Sequence, residues 1–87
     1  MTTFNFTFEF QGSTYAASCH VIYPPPDKQY HVFVDDEHLR FQFGDVQMFI
    51  LKGEEIKWGI PPQPKGSEFM KTLFAALKEV LAQHPEY

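Results

Sequence analysis

The segment from Phe4 to Phe10 constrains the fold of this chain more than any other feature. Every even-numbered residue in it is phenylalanine and every odd-numbered residue is polar. A strict period of two is typical of a β-strand with one buried face and one exposed face. The segment therefore predicts a strand over residues 3–11 that turns a row of aromatic rings toward a core.

A glycine-containing turn follows this strand at Gly12 and Ser13, and it suits a type II′ hairpin. With this turn, Phe10 pairs with Tyr15 in a second strand over residues 14–23. The apolar side chains of both strands then fall on one face, whereas a slip by one residue would send one set to the opposite face.

Apolar alternation continues beyond the prolines at positions 24–26, which cannot donate to a ladder and so separate the hairpin from the next strand. The spacing of apolar residues predicts four more strands in phase with the same core face. They lie at residues 29–35, 38–43, 46–52 and 56–60, joined by turns at 36–37 and 44–45 and a three-residue loop at 53–55.

The last predicted element is an amphipathic helix over residues 67–83. Its apolar residues recur at spacings of three and four, Ser67 offers an N-cap, and Glu68 suits the positive end of the helix dipole. Pro85 follows His84 and ends the helix.

Together these elements predict one domain over residues 1–87 of the α+β class, a six-stranded antiparallel curled β-meander with the C-terminal helix packed on its concave face. A flat sheet of six strands is about 24 Å wide, whereas one helix covers about 10–12 Å. The uncovered rings would form a patch that soluble monomers rarely expose. We therefore expect the sheet to curl, a second copy to cover the rest, or both, and we predict a homodimer.

Composition narrows the classes of partner. The net charge is -4, and only seven residues are Lys or Arg, which argues against binding of nucleic acid. No apolar run approaches the roughly 20 residues of a membrane span, and the chain does not start with a secretory signal. Because Cys19 is the single cysteine, no intramolecular disulfide can form, and we expect a cytoplasmic protein.

The predicted register also defines the residues of the second face of the sheet. One lateral row on it reads His20, Phe33, Arg40 and Phe49, and Leu51 lies in the neighbouring row. Two rings flanking an arginine could simply pack across strands. They could also form a partner-binding surface, and our hypothesis is that these five residues bind a partner.

Evidence for chemistry on this face is weak. His20, His31 and His38 share it, but their spacing matches no established metal-binding pattern, and we expect no metal or other cofactor. Cys19 is predicted to point into the core, where a thiol is inert. No nucleophile, base and oxyanion donor come together, so we expect no enzymatic activity.

The sequence thus favours a small non-enzymatic protein-interaction module that self-associates, acting through the outer sheet face or the edge of the first strand. The alternative is a carrier of small apolar ligands, with a cavity between the curled sheet and the helix lined by phenylalanines, Met48 and Trp58. A small enzyme is the third alternative, and no residue set supports it.

Overall fold

A computed structural model describes residues 2–23, 28–53, 55–59 and 67–87. The described strands form one antiparallel sheet in the order β1-β2-β3-β4-β5, and the last helix follows the sheet. The predicted α+β class, antiparallel sheet and C-terminal helix are confirmed. The elements in chain order are β1 (Thr2–Phe10), β2 (Ser13–Ile22), β3 (Lys28–Val34), α1 (Glu37–Phe43), β4 (Gln47–Lys52), β5 (Glu55–Trp58) and α2 (Ser67–Gln83).

The turn between β1 and β2 lies one residue earlier than predicted. Gln11 and Gly12 occupy it with φ of 51° and 80°, and positive φ at both central residues is the requirement of a type I′ turn. Phe10 consequently pairs with Ser13 rather than with Tyr15. The register is shifted by two residues, and because strand faces alternate with a period of two, the predicted core face is unchanged.

The predicted fourth strand, residues 38–43, is wrong, because this segment forms helix α1. The predicted count of six strands fails with it, and five strands are present among the described residues. The Asp36 carboxylate accepts a hydrogen bond from the Leu39 N–H at 3.0 Å and caps the helix. At the other end, Gly44 adopts a φ of 104° and its N–H donates to the Arg40 carbonyl at 2.9 Å.

Helix α1 moves one of three apolar side chains from the expected core face to solvent. Leu39 and Phe43 are four residues apart, so they share a face, on which Leu39 is buried and Phe43 packs against the core. Phe41 lies on the opposite face and is 93% exposed. A strand would have placed all three side chains on one side.

After α1 the chain enters the sheet with its core-facing and outward-facing residues exchanged relative to the prediction. Strand β4 pairs with β3, so that Phe49 lies opposite Tyr30, and the expected pairing with residues 38–43 does not occur. Lys52 pairs with Glu55, so Glu55 belongs to β5 and not to the three-residue loop predicted at 53–55. Ile56 and Trp58 pack against the core as predicted, and Ile60 lies outside the described residues.

Helix α2 packs its apolar face on the core side of the sheet over the predicted residues. The side chain of Ser67, expected as its cap, lies outside the described part, as do the proline-rich connectors at 24–27 and 60–66. The buried core residues are Phe4, Phe6, Phe8, Phe10, Ala17, Cys19, Val21, Tyr30, Val32, Val34, Leu39, Phe49, Phe69, Met70, Leu73 and Leu77.

The two helices share the covering of this face. The ring of Phe69 in α2 stacks on Phe43 of α1 with centroids 4.3 Å apart, and Phe74 stacks on Phe49 in the sheet at 5.4 Å. We predicted a curled sheet because one helix cannot cover the core face of six flat strands. The structure has five strands and two helices on this face, so covering it does not require the sheet to curl.

Candidate functional site

The predicted partner-binding row does not form as a row. His20 and Phe33 do lie together on the outer face, with their rings edge to face and centroids 5.0 Å apart. Arg40 lies in α1 and not in the sheet, and Phe49 is fully buried in the core. Leu51 pairs with Ile56, and both pack against the core.

The predicted row is wrong at Phe49 and Leu51 for one reason, which is that the prediction exchanged the two faces of β4. Without a strand at 38–43, β4 is placed by its pairing with β3, and that pairing sends odd-numbered residues of β4 to the core. The even-numbered residues Met48 and Ile50 therefore face outward, where the sequence had placed Phe49 and Leu51. The continuous apolar run from Met48 to Leu51 gives no alternation from which the phase could have been predicted.

The outer face that results carries a central group of apolar and imidazole side chains, which we call the outer patch. Across the sheet, His31 of β3 lies between His20 of β2 on one side and Met48 of β4 on the other. Gly59 lies beside Met48, where a Cβ atom would come within 2.7 Å of the Met48 Cε. The outer patch comprises His20, Ile22, His31, Phe33, Met48 and Ile50.

The outer patch faces away from both helices. The aromatic contacts that join α2 to the sheet involve Phe8, Phe10, Phe49 and Trp58, which all belong to the core face. Phe33 remains 38% exposed. Among the described residues no helix packs on this face, and an exposed apolar face is a common mark of a contact surface.

The histidines do not assemble as a three-histidine site. His20 and His31 are cross-strand partners, but His38 lies in α1 and is exposed. His31 Nε2 lies 2.9 Å from Gln29 Oε1. Within the described ranges, no three side chains among His, Cys, Asp and Glu are grouped closely enough to hold a metal ion.

Cys19 lies in the core as predicted and opposite Phe4 in the neighbouring strand. Burial disfavours the thiolate and raises the pKa of the thiol from 9.0 to about 12. A thiol that stays protonated at neutral pH is a poor nucleophile.

A second surface feature lies between the edge of β1 and the C-terminal half of α2. It is an open groove of about 420 Å³, which we call the β1–α2 groove. Phe6, Ala76 and Val80 contribute its apolar part, and Glu79 and Gln83 lie on the helix side.

The space in which a ligand carrier would need its cavity holds packed rings. Phe69 meets Phe8 and Phe10 edge to face at 6.0 and 5.5 Å, and Trp58 meets Phe74 at 5.4 Å. Met48, which the carrier hypothesis placed in the cavity lining, faces the other side of the sheet.

Comparisons with family models, curated proteins and solved structures found no match to this chain, so its function is argued from its own residues. Neither described helix combines the length and apolarity needed to cross a membrane.

Proposed function

We propose that this chain is a non-enzymatic protein-interaction module that self-associates through the outer patch. The observation that carries the proposal is the position of Phe33, Met48 and Ile50, which project from the sheet on the side opposite both helices. Burying apolar surface of this kind contributes about 25 cal/mol per Å². A second copy of the same chain would bury the outer patch, so no different partner protein is needed.

The distribution of charge on this face favours contact between identical copies. Strands β2 and β3 place no Lys, Arg, Asp or Glu outward between residues 14–22 and 29–33. The formal charges of the face are at its margins, on Glu9 in β1, on Lys52 at the end of β4, and on Glu55 and Lys57 in β5. An uncharged centre with a charged rim is the usual anatomy of a protein interface, and two such centres do not repel each other.

The size of the face sets the expected strength of self-association. Four strand spacings and seven residues give a face of roughly 19 by 23 Å, or about 900 Å² for two copies together. Stable complexes bury about 1,200–2,000 Å². The proposed dimer is therefore weak and depends on protein concentration.

The edge of β1 is the other route to self-association, and α2 obstructs it for a second copy of this chain. This helix lies along β1, with Phe69 against Phe8, and beyond the end of the helix Tyr87 stacks on Phe4 at 4.2 Å. Symmetric antiparallel pairing of two β1 strands would place both α2 helices on one side of the joined sheet, close to the seam, whereas helix axes need about 8–10 Å of separation. Self-association is thus assigned to the outer patch alone.

Sedimentation equilibrium over a wide range of protein concentration tests the proposal. The mass of the wild-type chain should rise from monomer toward dimer, and the double variant Phe33→Ser with Met48→Ser should remain monomeric. Phe41→Ser is the matched control, since Phe41 is also an exposed ring but lies on α1, away from the outer patch. A wild-type chain that stays monomeric at millimolar concentration, or a control variant that loses the dimer, contradicts the proposal.

A further inference from the structure

The two edges of the sheet differ in their protection against strand addition. Strand β5 has four residues, two of which are the charged Glu55 and Lys57. Strand β1 has nine residues, of which only Glu9 is charged. Short length and charge are the usual means by which proteins block an edge, so β1 is the edge open to another strand.

The backbone groups at the β1 edge follow from the turn. Phe10 and Ser13 flank a two-residue turn and form a hydrogen-bonded pair, so the even-numbered residues of β1 bond to β2. The same alternation directs the carbonyl of Ala16 away from β1, and it accepts a hydrogen bond from the Asp35 N–H at 2.8 Å. The N–H and C=O groups directed to the free edge are those of Thr3, Asn5, Thr7 and Glu9.

Helix α2 supplies a second wall along this edge. Ala76 and Val80 are one turn apart on the helix and face Phe6 across the β1–α2 groove. Glu79 is exposed on the same side, and no Lys or Arg lines the groove among the described residues. His84 also lines it, with its Nδ1 3.1 Å from Glu86 Oε1. The groove therefore combines unpaired backbone groups, an apolar wall and one carboxylate.

We propose that the β1–α2 groove binds an extended, basic peptide segment of a partner protein, which adds to the sheet beside β1. Main-chain hydrogen bonds to the four odd-numbered residues would provide affinity, and alternate side chains of the peptide would lie against Ala76 and Val80. A Lys or Arg in the peptide would meet Glu79. From Thr3 to Glu9 the edge spans about 20 Å, which accommodates a peptide of about seven residues.

The occupant is a lone peptide segment rather than a second copy of β1. A second copy would bring its own α2 into the space that α2 already fills, whereas an isolated extended segment brings no helix. The proposal uses a surface separate from the outer patch, so it holds or fails independently of self-association.

Amide hydrogen exchange of the full chain provides the first test. In the free chain, the amides of Thr3, Asn5 and Thr7 should exchange fast, and those of Phe4, Phe6 and Phe8 should be protected. The probe is the synthetic seven-residue peptide Lys-Thr-Val-Thr-Val-Thr-Lys, in which the lysines and valines share the face toward α2, added below the concentration at which the chain dimerises. It should protect the odd-numbered amides, and the same peptide with proline at its central threonine, whose N–H would donate to β1, should not.

A charge exchange at Glu79 provides the second test. Glu79→Lys should weaken binding of the lysine-ended peptide about two- to fivefold and strengthen binding of a glutamate-ended peptide by a similar factor. Glu68→Lys is the matched control, since Glu68 is exposed on the same helix but does not line the groove. It should bind both peptides as the wild-type chain does.

Three results would overturn the inference. The first is equal effects of Glu79→Lys and Glu68→Lys. The second is peptide-induced shifts confined to the outer patch. The third is protection of Thr3, Asn5 and Thr7 amides on raising the protein concentration without peptide, which would assign the edge to a second copy. A chain that binds the peptide but stays monomeric supports this inference and contradicts the proposed self-association.

Discussion

The ring of Phe43 lies parallel to the ring of Phe69, with an interplanar angle of 6° and centroids 4.3 Å apart. Phe10 meets both rings edge to face, at 6.2 and 5.5 Å. This cluster of three rings joins α1, α2 and β1 at one end of the sheet. Aromatic pairs add about 0.5–1.5 kcal/mol beyond the burial of their surface, so the cluster fixes the short helix α1 on the core.

The first prediction compares two rings of α1. Phe43→Ala should lower the free energy of unfolding by roughly 2 kcal/mol, less than the 3–5 kcal/mol of a fully buried phenylalanine because Phe43 is half-buried. Phe41→Ala should change it by less than about 0.5 kcal/mol, because Phe41 is 93% exposed. Urea unfolding followed by the fluorescence of Trp58 measures both. Equal losses from the two variants would indicate that residues 38–43 form a strand with both rings on one face.

The sequence pattern of this segment fits two structures, which explains why it misleads. Leu39, Phe41 and Phe43 alternate with polar residues and satisfy a period of two, yet Leu39 and Phe43 also satisfy the helical spacing of four. In seven residues the two periods cannot be separated. The signals that could have separated them are at the ends, where Asp36 can cap a helix and Gly44 can end one.

The second prediction concerns the N-cap of α1. Asp36→Ala should destabilise the chain by about 1 kcal/mol, because it removes the acceptor of the Leu39 N–H. Asp35→Ala is the control, since Asp35 is exposed and lies one residue before the cap. Thermal unfolding by circular dichroism should show a lower Tm for Asp36→Ala alone. A lower Tm for Asp35→Ala of the same size would contradict the assigned cap.

The core face of β1 and the extent of α2 were predictable because each pattern is long. Four phenylalanines at a strict period of two specify one face whatever the exact turn, and the turn was indeed misplaced without effect on it. The residues of the outer patch were predictable only in part. His20 and Phe33 follow from β2 and β3, whereas Met48 and Ile50 depend on the phase of β4, which tertiary pairing sets.

The third prediction concerns the turn between β1 and β2. Gln11 has a φ of 51°, a conformation that costs a non-glycine residue about 1 kcal/mol and that Asn adopts more readily. Gln11→Asn should therefore stabilise the chain by about 0.5 kcal/mol, and Gly12→Ala should destabilise it by about 1 kcal/mol. Ser13→Ala, outside the turn, should leave the urea midpoint unchanged. Were the turn at Gly12 and Ser13 instead, Gln11→Asn would bring no gain.

The fourth prediction follows from the buried thiol of Cys19. Burial raises the pKa of this thiol from 9.0 to about 12. Below pH 9 the thiol is protonated in both the folded and the unfolded chain, so its contribution to stability is constant. Between about pH 9 and 12 the unfolded chain releases this proton while the folded chain retains it, so the free energy of unfolding falls as the pH rises.

The variant Cys19→Ala lacks this pH dependence. The difference in free energy of unfolding between the wild-type chain and this variant, measured by urea unfolding, should therefore narrow from pH 8 to about pH 11. At pH 8 a disulfide reagent should label Cys19 of the folded chain at the rate of its opening, and should label it at once in denaturing urea. Rapid labelling of the folded chain at pH 8 would show that the thiol is accessible to solvent and would contradict its place in the core.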